Sequence, residues 1–154
     1  MTNPYQSPQA TLTPEATTPA YAGFWIRAGA SVIDTILILL VTSPLLYMVY
    51  GAEFLVSESF IQGPADFVIS YVFPAVASIL FWMYKSATPG KMMMGIRIVD
   101  ANTGGKCSTG QLVARYLGYY PSMLVLMLGF IWVAFDKRKQ GWHDKIAGTL
   151  VIKN

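Results

Sequence analysis

Three long apolar stretches limit what this chain can become more than any other feature of its sequence. The first covers residues 24–50 and carries no charge from residue 35 onward, the second covers residues 67–84, and the third covers residues 116–135. A helix needs about 17–25 residues to cross roughly 30 Å of hydrocarbon. Aromatic residues, Trp25 and Trp82 among them, gather near the ends, as expected at a membrane–water interface. The sequence therefore predicts an all-α membrane protein with three transmembrane segments.

Composition argues against a water-soluble enzyme. Charged residues make up 12% of the 154 residues and hydrophobic residues 54%, and the charged share is about half that of an average soluble domain. The net charge of +3 is too small and too scattered to indicate nucleic-acid binding. We expect the partners to be the lipid bilayer and a second copy of the chain or another membrane protein, and no nucleic acid.

The first 22 residues differ from the rest of the chain. Residues 1–20 are rich in Thr, Pro, Ala and Gln, and Glu15 is their single charged residue. A secretory signal needs a positively charged start, which this segment does not have. So little apolar surface cannot offset the entropy of ordering. The sequence predicts a disordered tail over residues 1–22 and a membrane domain over residues 23–152.

Charges between the apolar stretches indicate sidedness, with one conflict. Residues 51–66 contain three acidic and no basic residues, whereas residues 85–115 contain five basic residues and one acid. The positive-inside rule then places residues 85–115 and the N-terminus in the cytoplasm. Five basic residues also follow residue 135, and three complete crossings would place them outside. Either the third segment is re-entrant, with break points at Gly118, Pro121 and Gly129, or it is a true span whose tail charges did not set the orientation.

Two short polar regions have the pattern of strands. Residues 94–100 alternate apolar and charged side chains before a turn-like stretch, and residues 148–152 form a second β-type run. Isolated strands expose unpaired backbone groups, so two of them gain by pairing. The sequence predicts a small two-stranded β element on the cytoplasmic side, which favours a cytoplasmic C-terminal tail.

Two charged residues lie inside the first apolar stretch. Asp34 comes ten residues after Phe24, roughly 15 Å along a helix, and an unpaired charge at that depth is costly. Arg27 shares its face but lies two turns away. Together with Gly23 and Ala30 they form a small-and-polar stripe that should face protein. Asp34 is therefore either a proton or cation site in a polar crevice or a buried partner, for instance of Arg115, that holds the helices in register.

Several ordered motifs resemble the RDD family of small membrane proteins. They are Arg27 and Asp34 in the first stretch, residues 88–91 (TPGK) followed by 95–100 (GIRIVD), and residues 135–151 (FDKRKQGWHDKIAGTLV). The resemblance implies that Arg27, Asp34 and Asp144 are the arginine and two aspartates for which the family is named, with Asp136 a weaker candidate for the second aspartate. It also implies a location in the bacterial inner membrane and a largely uncharacterised role, for which transport is suggested.

Two functions remain as hypotheses. In the first, an oligomer or a complex with a partner moves a cation or small solute, with or without coupled protons, using Arg27, Asp34 and Asp144 with support from Arg115 and Lys91. In the second, the chain is a scaffold or assembly factor in which the same charges only fix helix packing. We expect no enzyme activity, cofactor or metal, because no nucleophile stands out and Cys107 has no clustered Cys or His. Residues 89–91 lack the spacing of a phosphate loop, and Gly90 is predicted to form a turn.

Overall fold

A computed structural model describes residues 19–125 and 127–154. The predicted tail, residues 1–22, therefore lies largely outside the described residues. In chain order the helices and strands are α1 (Phe24–Tyr50), α2 (Glu53–Val56), α3 (Pro64–Phe67), α4 (Phe73–Lys85), α5 (Pro89–Met93), β1 (Ile96–Asp100), α6 (Thr109–Leu117), α7 (Tyr119–Leu124), α8 (Leu128–Phe135), α9 (Trp142–Ala147) and β2 (Thr149–Lys153).

Two helical segments are long and apolar enough to cross a membrane. One is α1, with 27 residues, and the other is the 22-residue segment Pro64–Lys85, in which a π-helical stretch, Val68–Val72, joins α3 to α4. Most of their large apolar side chains are exposed on the isolated chain, as lipid-facing helices require. The two segments agree with the first two predicted transmembrane segments.

The third apolar stretch forms a bent pair of helical segments. Residues 109–124 (α6 and α7) and α8 meet at an angle of 99°, and the bend includes Met127, whose φ is 58°. The predicted break points were wrong: Gly118 only joins α6 to α7, and Gly129 lies within α8. Gly129 serves packing instead, because a Cβ there would lie 2.6 Å from the Ser122 Cβ.

The two predicted strands do pair. β1 and β2 are antiparallel, with Ile96 opposite Lys153 and Asp100 opposite Thr149. The chain just before α1 lies along the other edge of β2, where the Ala22 N–H donates to the Val151 carbonyl at 2.9 Å and the Lys153 N–H donates to the Ala20 carbonyl at 2.8 Å. Residues 20–22, which the sequence assigned to the tail, are thus part of the sheet.

Helices α5 and α9 lie around the sheet, together with the adjoining ends of α1, α4 and α6. We call this region the polar layer; it comprises residues 20–34, 82–115 and 136–154. Its core contains Ile96, Ile98, Leu112 and Val151. Trp82 belongs to the same core and is 2% exposed, so its predicted place in an interfacial aromatic belt was wrong. The indole packs inward because α6 covers it with Tyr116, 6.4 Å away between ring centroids.

Both ends of the third apolar stretch attach to the same sheet. Near its start, Gln111 Nε2 donates to Asp100 Oδ2 at 2.6 Å. After its end, Gln140 Nε2 donates to the Thr149 carbonyl at 2.8 Å, and an Arg138 Nη donates to the Ala101 carbonyl at 2.8 Å. The bent pair α6–α8 therefore leaves the polar layer and returns to it.

Candidate functional site

Asp144 is the centre of a fully buried cluster of charges. Arg27 and Arg115 each donate from one guanidinium nitrogen to a different carboxylate oxygen of Asp144. The Gly141 N–H adds a hydrogen bond of 3.1 Å to Oδ2. Arg115 also donates to the Thr149 hydroxyl at 2.7 Å. Both Asp144 and Thr149 are 0% exposed, so the negative charge is balanced inside the protein.

Arg27 ties three separate segments to α1. Besides its bond to Asp144, its Nε donates to the Ala22 carbonyl at 2.9 Å and an Nη donates to the Lys139 carbonyl at 2.6 Å. Its fork of five donors allows it to serve several acceptors at once. The first turn of α1 is thereby fixed to the chain before it, to the loop after α8 and to α9.

The electrostatics of the cluster keep Asp144 ionised. Burial alone would raise the pKa of Asp144, but the Arg115 and Arg27 guanidiniums outweigh burial and hold the pKa well below its usual range. The neighbouring His143 is affected in a different way: burial lowers its pKa to about 3, against the attraction of Asp144 and with help from Arg115, Arg27 and Lys91. At pH 7 the imidazole is therefore neutral while the carboxylate is charged.

Asp34 has its own set of partners, which come from the loop before α5 and from α5 itself. The Thr88 hydroxyl donates to Oδ2 at 2.5 Å, and the Gly90 N–H donates to Oδ1 at 2.7 Å. The Lys91 ammonium lies 4.0 Å from Oδ2 and donates to the Thr88 hydroxyl at 3.3 Å. The carboxylate thus accepts from one N–H in the first turn of α5 and from a hydroxyl, and it has a positive charge beside it.

Gly90 makes this contact between α1 and α5 possible. A Cβ at position 90 would lie 2.2 Å from the Ala30 carbonyl oxygen and 2.9 Å from the Asp34 Cγ. The prediction that Gly90 forms a turn was wrong, because Gly90 is helical and the left-handed residue after α4 is Ser86, with φ 55°. The small-and-polar stripe does face protein, since Ala30 is completely buried and Arg27 is 9% exposed.

A half-open crevice of about 1040 Å³ lies beside both sets of charges, between α1, α4 and the third apolar stretch. Its polar end, which we call the floor, is formed by Arg27, Asp34, Thr88, Lys91, Arg115, His143 and Trp82. Its walls are apolar and continue along the helices away from the polar layer, as Leu37, Val41, Phe73, Phe81, Met127 and Ile131. The crevice thus combines a charged end with long apolar sides.

Arg27, Asp34, Lys91 and Arg115 lie at this floor and Asp144 lies directly behind it, but the pairing differs from expectation. Asp136, the weaker candidate, lies elsewhere and pairs with Lys145 at 2.5 Å. Arg115 is bound to Asp144 and Thr149, so its predicted pairing with Asp34 was wrong. The reason is that α6 presents Arg115 toward α9 and β2, whereas Asp34 faces α5. Arg27 and Asp34 do not pair with each other; each has partners of its own.

Sequence reasoning missed two members of the floor, Trp82 and Thr88. Thr88 could have been noticed as the residue before a Pro-Gly pair that opens a helix. Trp82 gave no signal, since an aromatic residue at the end of an apolar stretch looks the same whether it faces headgroups or protein.

Similar proteins support the assignment to a membrane-protein family. Over 85% of this chain, the uncharacterized protein YxaI of Bacillus subtilis (strain 168) is 29% identical, and the match covers 96% of that protein. The uncharacterized membrane protein YteJ of the same organism is 30% identical over 90% of this chain and 84% of its own length. No solved structure matches the chain.

A shorter match is to an uncharacterized protein of Rickettsia prowazekii (strain Madrid E), which is 41% identical over 49% of this chain. The chain spans only 42% of the length of that relative. Residues 21–148 match the RDD family, and this range contains Arg27, Asp34 and Asp144. The chain therefore belongs to the RDD family.

Proposed function

We propose that this chain takes part in moving a small solute across the membrane in which it sits, with the crevice as the site that the solute enters. The observation that carries the proposal is the floor of the crevice, where several charged groups lie at the end of apolar walls. Charged side chains beside membrane-spanning helices are costly and are typically retained for a solute or ion pathway. Asp34, with 17% of its side chain exposed, is the ionisable group that the solute meets.

The floor has two parts with different tasks. The Arg27–Asp144–Arg115 cluster is buried and joined by hydrogen bonds, and it braces the polar end of the crevice. Asp34 and Lys91 lie at the lining itself and can exchange partners with an entering solute. Asp144 is thus a positioning residue, whereas Asp34 and Lys91 are the groups in contact with the solute.

Topology follows from the way both ends of the third apolar stretch attach to one sheet. We propose that this stretch is re-entrant, that both chain ends face the cytoplasm, and that the protein lies in a bacterial inner membrane. The bend of 99° and the basic residues on both sides of the stretch support this arrangement, because they fit the positive-inside rule only if the stretch does not cross.

Two complete spans and one re-entrant pair are too few to enclose a pathway. The half-open side of the crevice would otherwise face lipid, where a polar floor is unfavourable. We therefore propose that transport requires a second copy of this chain or another membrane protein that covers the open side.

A scaffold role is the second candidate, and one observation favours it. Both carboxylate oxygens of Asp34 already accept hydrogen bonds, from Thr88 and from the Gly90 N–H. Such a group can hold α1 against α5 without any further task. In that case the protein would be a non-enzymatic assembly factor whose charges fix helix packing.

Asp34→Asn separates the two functions. Asparagine can accept from the Gly90 N–H and donate to the Thr88 hydroxyl, so the fold is preserved while the charge is lost. In vesicles that contain a pH-sensitive dye, we expect wild type to show flux under a gradient of sodium, potassium or a short-chain carboxylate, and Asp34→Asn to abolish it. The matched control is Glu53→Gln, in the exposed α2. A wild-type flux that Asp34→Asn leaves unchanged would rule out the transport site, and a silent wild type would favour the scaffold.

A further inference from the structure

Two hydrogen-bond donors at the floor of the crevice lack an acceptor. Among the residues that the structure describes, nothing accepts from Trp82 Nε1 or from Arg115 Nε, although Trp82 is 2% and Arg115 1% exposed. His143 Nδ1 also has no partner there, and in a neutral imidazole it can either donate or accept. A buried donor without a partner costs free energy, of the order of 1–3 kcal/mol. Trp82 and Arg115 both line the crevice, so an acceptor from outside the chain that reaches these atoms would satisfy them.

The Trp82 ring has two positive groups near it. The Lys91 ammonium lies 5.9 Å from the centre of the Trp82 ring and the Arg115 guanidinium carbon 5.6 Å from it. Lys91 has three donors and makes a single hydrogen bond, to Thr88, within the described chain. Indole, guanidinium and ammonium groups all donate and none accepts, so the complementary ligand group is an acceptor.

The charge balance of the floor points to an anion. Arg27, Lys91 and Arg115 contribute three positive charges, against two negative charges from Asp34 and from Asp144 directly behind the floor. Their sum is +1, with His143 neutral. A ligand group with a single negative charge would bring this balance to zero, whereas a free cation would raise it to +2.

The walls determine the rest of the ligand. From Asp34 the wall of α1 continues to Val41, about 10 Å along the helix, and from Trp82 the wall of α4 extends back to Phe73, about 13 Å. Both walls are apolar and lie on the side of the crevice away from the polar layer. A volume of about 1040 Å³ is at the upper end of ordinary ligand sites. A hydrocarbon chain can therefore lie along both walls.

We propose that the crevice binds an amphiphile with an acidic head group and an acyl chain, whose head accepts hydrogen bonds from Trp82, Lys91 and Arg115. The inference rests on the proposed function and names the class of solute for the same crevice. A free fatty acid and an anionic phospholipid share this chemistry. The acyl chain lies between α1, α4 and the third apolar stretch, and the head group replaces the missing acceptor.

Equilibrium binding to the full chain in neutral detergent tests the proposal. The probes are radiolabelled oleate, phosphatidylglycerol and, as the zwitterionic comparison, phosphatidylcholine. We expect saturable binding of oleate or phosphatidylglycerol and at least tenfold weaker binding of phosphatidylcholine, because the charge-assisted hydrogen bonds require an anion. Binding of oleate alone identifies a free fatty acid as the ligand, and binding of phosphatidylglycerol alone identifies a membrane lipid.

Matched variants locate the binding site. Lys91→Met removes the ammonium but keeps an apolar side chain, and we expect it to weaken binding of the acidic probe roughly tenfold or more. Its control is Lys85→Met, at the exposed end of α4. Trp82→Phe keeps an aromatic ring and loses the donor, with Trp132→Phe as its control, so it still tests the site if Lys91→Met does not fold.

Equal binding of phosphatidylcholine and phosphatidylglycerol, or variants that bind as well as wild type, would overturn the assignment. The outcome is separable from that of the flux experiment. Binding of an acidic amphiphile without flux leaves this inference standing and contradicts transport. Cation flux through a chain that binds no acidic amphiphile would support transport and overturn this inference.

Discussion

At Asp144 a full negative charge is stable in the interior because two guanidiniums lie against it. If one member of such a group is removed, the remaining charges stay buried without compensation. We expect Asp144→Asn to leave Arg27 and Arg115 repelling each other and to destabilise the fold by about 3–5 kcal/mol. Thermal unfolding in mild detergent, followed by tryptophan fluorescence, measures the effect.

The control for this variant is Glu58→Gln, on the exposed loop between α2 and α3, which removes one acidic charge without touching a buried partner. Its unfolding temperature should match that of wild type. An unfolding temperature of Asp144→Asn within a degree of the control would mean that the Asp144 cluster does not stabilise the chain.

His143 predicts a dependence of stability on pH. Its pKa is about 3 in the folded chain against 6.5 for an unperturbed histidine, so between these values the unfolded chain binds a proton that the folded chain does not. Stability is therefore fully present above pH 6.5 and declines as the pH falls toward 3. Four charged side chains surround the ring. Asp144 favours its protonation, whereas Arg115, Arg27 and Lys91 oppose it.

His143→Phe isolates this contribution. The phenyl ring can pack against Tyr119 and Phe130, as the imidazole does at centroid distances of 4.6 and 5.0 Å, and it cannot titrate. We expect unfolding temperatures of wild type to fall more steeply than those of His143→Phe between pH 6.5 and 4. Parallel curves for the two proteins would show that His143 is not the group responsible.

The residues of the candidate site could be found from the sequence, but their partners could not. The spacing of Arg27 and Asp34 on one helix, and the cost of charge in an apolar stretch, suffice to select both residues. Their bonds reach Asp144, 117 positions away, and the Gly90 N–H, 56 positions away. No pattern along a single sequence encodes such distances, and for that reason Arg115 was assigned to the wrong aspartate.

Among the elements, helices α5 and α1 can approach closely because Gly90 has no side chain. We expect Gly90→Ala to push α5 away from the Ala30 carbonyl, which would lie 2.2 Å from the new Cβ, and to break the hydrogen bond to Asp34. The backbone of a helix cannot yield as a side chain does, so a lowered unfolding temperature and faster proteolysis between α4 and β1 should follow. Gly110→Ala in α6 is the control, since a Cβ there meets nothing within 4 Å.

Elements with strong periodicity were predictable and the bend in the third stretch was not. Three features depend on local sequence alone, and the structure has all three. They are the long apolar helix α1, the long apolar segment of residues 64–85 and the strand β1 with its alternating side chains. The bend between α7 and α8 lies in an apolar stretch that carries no turn signal, whereas Gly118 and Gly129, which suggested a break, lie close to His143 and Ser122. His143 of α9 packs against Tyr119 before the bend and Phe130 after it, and these contacts are not visible in the local sequence.

For the whole molecule, the sheet limits on which side of a membrane the two ends of the third apolar stretch can lie. β1 follows the second apolar stretch and β2 follows the third, and the two are paired along their length. A third complete crossing would place a bilayer between them. Since residue 106 precedes the third stretch and residue 153 ends β2, these two positions must face the same side if the sheet forms in the membrane-bound protein.

Single-cysteine variants can test this topology on a Cys107→Ala background, which removes a buried thiol with little loss of packing. Lys106→Cys, Lys153→Cys and Glu58→Cys place one exposed thiol each before the third stretch, after it and on the opposite loop. With a membrane-impermeant maleimide and right-side-out vesicles, we expect labelling of Glu58→Cys alone, and labelling of the other two after permeabilisation. Lys153→Cys that labels together with Glu58→Cys would demonstrate a third crossing, in which case β1 and β2 could not pair within one chain.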